Sequence, residues 1–261
     1  MKIGIIGYGV VGKAAEKTFS KKFDIIKYDK YMDLDDFESL NESDLIFIMV
    51  PTPFDSHTNL SDDSAIIDSL TNLEKIKFYS KKPVIIKSTV VPGSCHRYSN
   101  EFNLNIVFNP EFLRESTSPF EDFENQNTVV LGTLDKSTFE TVKSAYQKVL
   151  NGKEDYFQTS YITAEMIKMS QNATLASRVA IANLIYDACI ESGANYLDVK
   201  KIAFDRFDIL GPHMVQVPGP DDKRGFGGKC LPKDISAFNS LYPSGVLDKI
   251  IEYNKTLRDD G

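Results

Sequence analysis

The chain has 261 residues, 42% of them hydrophobic and 26% charged, enough apolar material for one large or two modest cores. Its net charge of −7 argues against a nucleic-acid binder, because phosphate backbones demand clustered Lys and Arg. The three cysteines, Cys95, Cys189 and Cys230, form no CxxC pair and have no histidine at metal-ligand spacing, which excludes a disulfide framework and a zinc site and points to thiols in a reducing compartment.

From its first residues, MKIGIIGYGVVGK, the chain reads as a strand running into a helix and lacks a signal-peptide layout. Further strands are expected at 24–29, 44–50, 83–88, 105–109 and 128–132, after the first at 2–7. Most are nearly continuous in Ile, Val, Leu and Phe, as strands covered on both faces should be. Helical periodicity at 12–23 and 64–79 falls between them, and alternation of strand and helix implies right-handed crossovers in a doubly wound parallel sheet.

The texture changes near Ser160. Residues 160–192 contain neither Pro nor Gly and are rich in Ala, Ile, Leu and Met, so one long helix is expected, stopped by Gly193 as its C-cap. Such a helix is too apolar to be exposed all round, and it is expected to be the spine of a second, helical domain and the seam of a homodimer. Shorter helices follow at 197–204 and 244–258. The division expected is 1–158 for the sheet domain and 159–261 for the helical one. No apolar run approaches the roughly 20 residues that span a bilayer, so a cytoplasmic protein without membrane contact is expected.

Gly7-Tyr8-Gly9-Val10-Val11-Gly12 is a GxGxxG that follows a strand and opens a helix. The first glycine permits the tight turn, the second lets a pyrophosphate approach, and the third allows close helix–strand packing. The phosphates then meet the unpaired N–H groups of a helix N-terminus. Asp29 ends the second strand about 20 residues on, where a carboxylate holds a ribose 2′-OH and repels a 2′-phosphate. NAD is therefore expected over NADP, although Lys30 beside Asp29 keeps the second reading open.

Four other stretches carry chemistry-bearing side chains. Lys87-Ser88-Thr89 ends a strand, the edge at which doubly wound sheets bind ligands. Glu111 and Glu115, in NPEFLRE, follow another strand as two carboxylates four residues apart, which read equally as charges complementing a helix N-terminus. Lys168 and Asn172 share one face of the long helix at i, i+4, where Lys168 reads equally as a solvated position. Last comes RGFGGKCLPKD, residues 224–234. Leu231 precedes a proline and is expected to be extended, and Pro232 to be the first residue of a helix. Cys230 would then sit at a helix N-terminus, where the dipole and Lys233 favour a thiolate while Asp234 opposes it unless a cation such as Lys168 pairs with it. The glycines of GFGG would let the loop close on a ligand. A lone cysteine is usually a small core hydrophobe, the reading given to Cys95 and Cys189.

These motifs, in this order, resemble the UDP-glucose/GDP-mannose dehydrogenase family: GxGxxG, Val50-Pro51-Thr52-Pro53, KSTVVPG at 87–93, NPEFLRE at 109–115, KxxxNA at 168–173 and VPGPDDKRGFGGKCLPKD at 217–234. The resemblance covers nearly the whole chain and implies a Rossmann-type domain followed by a helical central domain that dimerises. It implies an NAD-dependent four-electron oxidation of a nucleotide sugar, with UDP-glucose favoured. Cys230 would be the nucleophile, amid Lys168, Asn172, Asp234, Glu111 and Thr89. Gly7, Gly9, Val10, Val11, Gly12, Asp29, Lys30, Pro51, Thr52, Thr89, Glu115 and Lys233 would hold the cofactor, with no metal required. Glu111, Phe112, Leu113, Arg114, Glu115, Lys168, Asn172 and the run Lys223, Arg224, Gly225, Phe226 and Gly227 would line the sugar-nucleotide site. Two departures stand out. The family's usual third, C-terminal α/β domain has no counterpart before Gly261, so a short form or a fragment is expected. Arg206 is displaced from the family's substrate-binding arginine, for which His213, Lys223 or Arg224 would substitute. The readings that compete are a two-electron β-hydroxyacid-type dehydrogenase, which needs no thiol, and a non-catalytic module that senses NAD or a nucleotide.

Overall fold

The computed structural model describes all residues except 79, 80, 207–215, 242, 244, 260 and 261, together with the side chains of Leu184 and Asp259. The chain divides into two compact units, 1–55 with 61–168 and 56–60 with 169–261. The division falls inside the long helix, after Lys168.

The first unit is built on a seven-stranded sheet. In chain order its strands are β1 (Lys2–Ile6), β2 (Asp24–Tyr28), β3 (Leu45–Ile48), β6 (Pro83–Ile86), β7 (Asn105–Phe108), β8 (Thr128–Gly132) and β9 (Asp155–Thr159). The minimal strands β4 (Phe54–Asp55) and β5 (Leu60–Ser61) form a separate ribbon. The sheet order is β2-β1-β3-β6-β7-β8-β9, the reversal about β1 that defines a doubly wound sheet. Period-2 side chains explain the near-continuous apolar runs. Ile3, Ile5, Leu45, Phe47, Ile85, Val107, Val129 and Leu131 enter one core, whereas Ile6, Ile46, Ile48, Val84, Ile86, Ile106, Phe108 and Val130 enter the other. Each such side chain contributes about 1.5–3 kcal/mol by leaving water.

All six expected strands are present, and the sheet is mostly parallel with one reversal. β7 and β8 meet antiparallel at Phe108 opposite Gly132. The connection between them carries only α4 (Pro119–Glu124), whose six residues span about 9 Å, too short for the crossover that a parallel pair needs. The edge strand β9, DYFQT, and the helices α3 (Ser94–Glu101), α4 and α5 (Lys136–Gln147) were not expected. The expected helices at 12–23 and 64–79 are α1 (Val10–Phe19) and α2 (Ser64–Lys75), and Tyr79 lies outside the described residues.

The long helix α6 (Tyr161–Ser192) matches expectation almost residue for residue. Ser160 caps it, its hydroxyl accepting from the Thr163 N–H at 3.2 Å. Gly193 ends it at φ +74°, and the Ala194 N–H reaches back to the Cys189 carbonyl at 2.9 Å. At 32 residues α6 is long and apolar enough to cross a membrane by length and composition alone, contrary to the expectation that no segment would be. The core helix of a soluble protein passes the same test. The second unit continues with α7 (Tyr196–Ala203), α8 (Leu231–Leu241) and α9 (Gly245–Asp259), around a small core of Ala176, Val179, Ala180, Phe226 and Ile235.

Candidate active site

The β1–α1 turn has the shape a dinucleotide requires. Gly7 adopts φ +92°, and a Cβ there would lie 2.5 Å from the Met49 carbonyl oxygen. A Cβ on Gly12 would lie 2.2 Å from the Gly7 carbonyl oxygen, so neither position admits a side chain. Gly9 differs, because its Cβ would meet nothing within 4 Å. It is the exposed N-cap of α1, beside half-buried Val10 and Val11, and leaves open a cradle in front of the helix N-terminus. Asp29 follows β2, where one carboxylate oxygen accepts from the Tyr8 N–H at 2.8 Å and the other from the Tyr31 N–H at 3.0 Å. The same acid thus shapes the glycine turn and stays half-exposed. Lys30 points to Asp68 at 3.3 Å, so a carboxylate on α2 neutralises the cation beside Asp29. These residues fit a dinucleotide with a free ribose 2′-OH.

Side-chain ties hold together the carboxyl ends of the next strands. Thr52 donates to the Thr89 carbonyl and Ser88 to the Val50 carbonyl, both at 2.7 Å. Thr52 is buried, Thr89 half-buried and Pro51 exposed. Behind them lies a polar network absent from the sequence reading. The Lys87 ammonium, whose side chain is 1% exposed, lies 2.9 Å from Glu111 Oε2. It donates to Asn109 Oδ1 at 2.9 Å and to the Tyr146 hydroxyl at 3.3 Å. Tyr146 donates in turn to Asn109 at 2.6 Å, and its own phenol is pushed well up by burial and by the Glu111 charge.

Glu111 and Glu115 lie in the loop that leaves β7, so neither is a helix N-terminal charge. Glu111 Oε1 accepts from the Phe112 and Leu113 N–H groups at 2.8 and 3.0 Å, folding the loop back on its own carboxylate. Phe112 packs against one core of the sheet and Leu113 against the other. Arg114 is committed within the chain: its guanidinium grips Asp122 at 2.7 and 2.8 Å. That grip holds the Asp122 carboxyl down to about 2. Glu115 is half-buried.

On α6, Glu165 is fully buried, and its two oxygens accept from the Gly93 and Cys95 N–H groups at 2.6 and 2.8 Å. A carboxylate from one helix therefore closes the N-terminus of α3, directly after the Thr89 segment. Cys95 is buried, and that burial, with the Glu165 charge, raises its thiol well above the usual range. Cys189 is buried as well. One turn on from Glu165, Lys168 is buried rather than solvated, with its ammonium 5.7 Å from the Phe112 ring centroid.

In the second unit Asn172, 4% exposed, donates to Asp234, which is 1% exposed and lies 3.0 Å from the Lys233 ammonium. Cys230 is the exposed cysteine of the three. Its carbonyl accepts from the Asp234 N–H at 2.8 Å, which makes Cys230 the N-cap of α8. The helix starts at Leu231, one residue before the expected position, so Leu231 is helical rather than extended. At the first turn the N–H that proline lacks would have no intrahelical partner in any case.

Two of the GFGG glycines, Gly225 and Gly227, are closely packed, whereas a Cβ on Gly228 would meet nothing within 4 Å. Gly225 sits at φ +73°, where a Cβ would lie 2.6 Å from Asn254 Oδ1. A Cβ on Gly227 would lie 2.2 Å from the Arg258 guanidinium. The Gly225 N–H donates to Asn183 at 3.2 Å and its carbonyl accepts from Arg258 at 3.1 Å. Asn254 pairs with both backbone groups of Phe226, at 2.6 and 3.0 Å. Arg224 pairs with Asp187 and lies over the Tyr186 ring at 5.3 Å, while Lys223 and Arg206 are exposed. His213 and the 207–211 run lie outside the described residues. Asn183, Asn254, Arg258 and Glu165 were absent from the sequence reading. Lone polar residues in apolar helices were the available signal, since burying each is costly without a partner.

Residues 24–150 match the NAD binding domain of the UDP-glucose/GDP-mannose dehydrogenase family, and residues 162–256 match that family's central domain. UDP-glucose 6-dehydrogenase from Rickettsia bellii (strain RML369-C) is 33% identical over 224 residues, 82% of this chain and 49% of that protein. The Campylobacter jejuni enzyme of the same name is 31% identical over 225 residues, 84% of this chain and 54% of its own length. The chain thus spans about half the length of the curated relatives it matches. Among solved structures, a UDP-glucose dehydrogenase from Pyrobaculum islandicum superimposes with a TM-score of 0.83 at 21% identity, covering 98% of this chain and 68% of that one. A UDP-D-ManNAc dehydrogenase from Pyrococcus horikoshii gives the same TM-score at 20% identity, over 98% and 69%. With both domain models matched in order, and the glycine turn and Asp29 fitted to a dinucleotide, the chain belongs to the UDP-glucose/GDP-mannose dehydrogenase family.

Proposed function

We propose that the chain oxidises the C6 primary alcohol of a nucleotide sugar to the carboxylate in two NAD-dependent steps, with UDP-glucose the favoured substrate. The observation that carries the reading is the exposed thiol of Cys230 at the N-cap of α8, one helical turn from a buried Asp234 held by Asn172 and Lys233. The exposure suits a nucleophile, and the helix N-terminus favours its thiolate.

NAD, when bound, accepts a hydride at each of the two oxidations. The chain's residues do the rest. Cys230 Sγ adds to the carbonyl carbon of the C6 aldehyde, forming a C–S bond and a thiohemiacetal. Loss of the second hydride from that carbon leaves a thioester. Water adds to it, the C–S bond breaks, the thiolate departs and the uronate is released. Lys168 and Asn172 stabilise the oxyanions on this path, and Asp234 holds the water, whose proton Glu111 accepts. Gly9, the α1 N-terminus and Asp29 bind the cofactor. Pro51, Thr52, Thr89, Glu115 and Lys233 contact it further along, and Phe112, Leu113, Lys223 and the 225–227 backbone contact the sugar nucleotide. Arg114 and Arg224 would have to exchange Asp122 and Asp187 for the substrate. The proposal includes a cytoplasmic homodimer built on α6, and a domain boundary at 158/159.

NADH stoichiometry with UDP-glucose, GDP-mannose and N-acetylated UDP-sugars tests it. Two NADH per sugar are expected from the wild type, and no uronate from Cys230→Ala. One NADH per sugar, with Cys230→Ala fully active, would establish the two-electron reading instead. NAD binding without turnover on any of these sugars would leave a sensing module.

A further inference from the structure

We infer that Lys87 is the positioning residue of Glu111, and that the Lys87–Glu111 pair governs thioester hydrolysis without taking part in the oxidations. The inference rests on the reaction proposed above. Within the first unit the Lys87 ammonium donates to Asn109 and Tyr146 and lies 2.9 Å from Glu111 Oε2. With 1% of its side chain exposed, Lys87 has no open path for a ligand, so it acts through its partners.

Among these partners only Glu111 is charged. Glu111 Oε2 is buried under the ammonium and Oε1 lies on the Phe112 and Leu113 N–H groups, so three contacts fix one orientation of the carboxylate. The pair also fixes the loop, because residues 112 and 113 are held by the same carboxylate. In the hydrolytic step water oxygen bonds to the thioester carbon, its proton passes to the Glu111 carboxylate, the C–S bond breaks and Cys230 leaves as thiolate. Without Lys87 the carboxylate loses the cation beside it and turns away, and the water keeps its proton. Hydride loss involves neither residue and proceeds.

The test separates the two halves of the reaction with UDP-glucose and NAD. In Lys87→Met a rapid burst of NADH near two per chain is expected, followed by steady turnover about 10²-fold below wild type. Intact-mass measurement should show a sugar-nucleotide acyl adduct that is absent from a Lys87→Met/Cys230→Ala variant. Lys87→Arg, which restores a cation, should recover much of the steady rate. Lys87→Met/Glu111→Gln, which removes both buried charges and so protects the fold, should be no slower than Glu111→Gln alone. If the NADH burst of that double variant falls below that of Glu111→Gln while it stays folded by circular dichroism, or if its steady-rate defect exceeds that of Glu111→Gln, the inference is overturned. A wild type that forms two NADH but no Cys230 adduct overturns the thioester reading, and a wild type inactive on all the sugars overturns both.

Discussion

The three glycines of the β1–α1 turn are alike in sequence and different in what surrounds them. Gly7 and Gly12 are closed in by backbone, at 2.5 and 2.2 Å from a notional Cβ, whereas Gly9 faces open space. Backbone cannot swing aside as a long side chain can, so Gly12→Ala should lose about 1–3 kcal/mol of stability through overpacking. Gly9→Ala should unfold within about 0.5 kcal/mol of wild type, since it adds a methyl where there is room. If a pyrophosphate occupies that room, the same substitution should weaken NAD binding by at least about tenfold, roughly 1.4 kcal/mol. Calorimetric titration of Gly9→Ala with NAD is the measurement, and wild-type affinity would place the pyrophosphate elsewhere. Both the pattern and its purpose were legible in the sequence here, because GxGxxG after a strand has few other uses. The GFGG run is less legible: glycine admits either motion or close contact, and it takes the positions of Asn254 and Arg258 to show Gly225 and Gly227 in contact while Gly228 faces open space.

At the scale of elements, strands with two buried faces announced themselves, and those with one did not. β9, at the edge of the sheet, has exposed and half-buried residues but no buried one, so DYFQT carries no apolar run to find. Helix α4 was invisible for a related reason. It has six residues, one buried side chain, and an anchor supplied from outside by Arg114. That anchor makes a pH prediction. The Arg114 guanidinium, through its hydrogen bonds, lowers the Asp122 carboxyl from 3.8 to about 2 in the folded chain, outweighing the upward push of partial burial. A depressed carboxyl stabilises the fold fully above its unfolded value and loses that contribution as pH falls through the folded one. The window is therefore from about 4 down to about 2. Arg114 is 62% exposed and water screens it, so the contribution is on the order of 1 kcal/mol, below what the shift alone implies. Urea unfolding of wild type and Asp122→Asn should differ by about that amount at pH 6, and the two should converge as pH approaches 2. A gap that stays constant across the range would show that the charge on Asp122 plays no part.

For the whole molecule the open question is what covers α6. Its buried polar residues, Glu165, Lys168, Asn172 and Asn183, all find partners within the chain, and they give the helix an inward face. Its outward side carries Ile167 and Ile181, exposed at 38% and 51%, two heptads apart and so within about 40° of each other around the axis. Leu197 at the start of α7 is 68% exposed. A helix of this length and composition has two ready destinations, a second copy of the chain or a lipid bilayer. Every 18-residue stretch of α6 contains Arg178, so a bilayer would have to accept that charge, at a cost of about 3 kcal/mol near the membrane centre. A second copy need only meet the outward stripe. The proposed homodimer therefore predicts that wild type scatters in solution with twice the mass of one chain. Ile181→Lys/Leu197→Lys should scatter as a single chain with its fold retained, because both positions are exposed within the chain and a lysine there costs it little. A monomeric wild type, or a dimer indifferent to both lysines, would sink the interface, and a wild type that sediments with phospholipid vesicles would favour the bilayer.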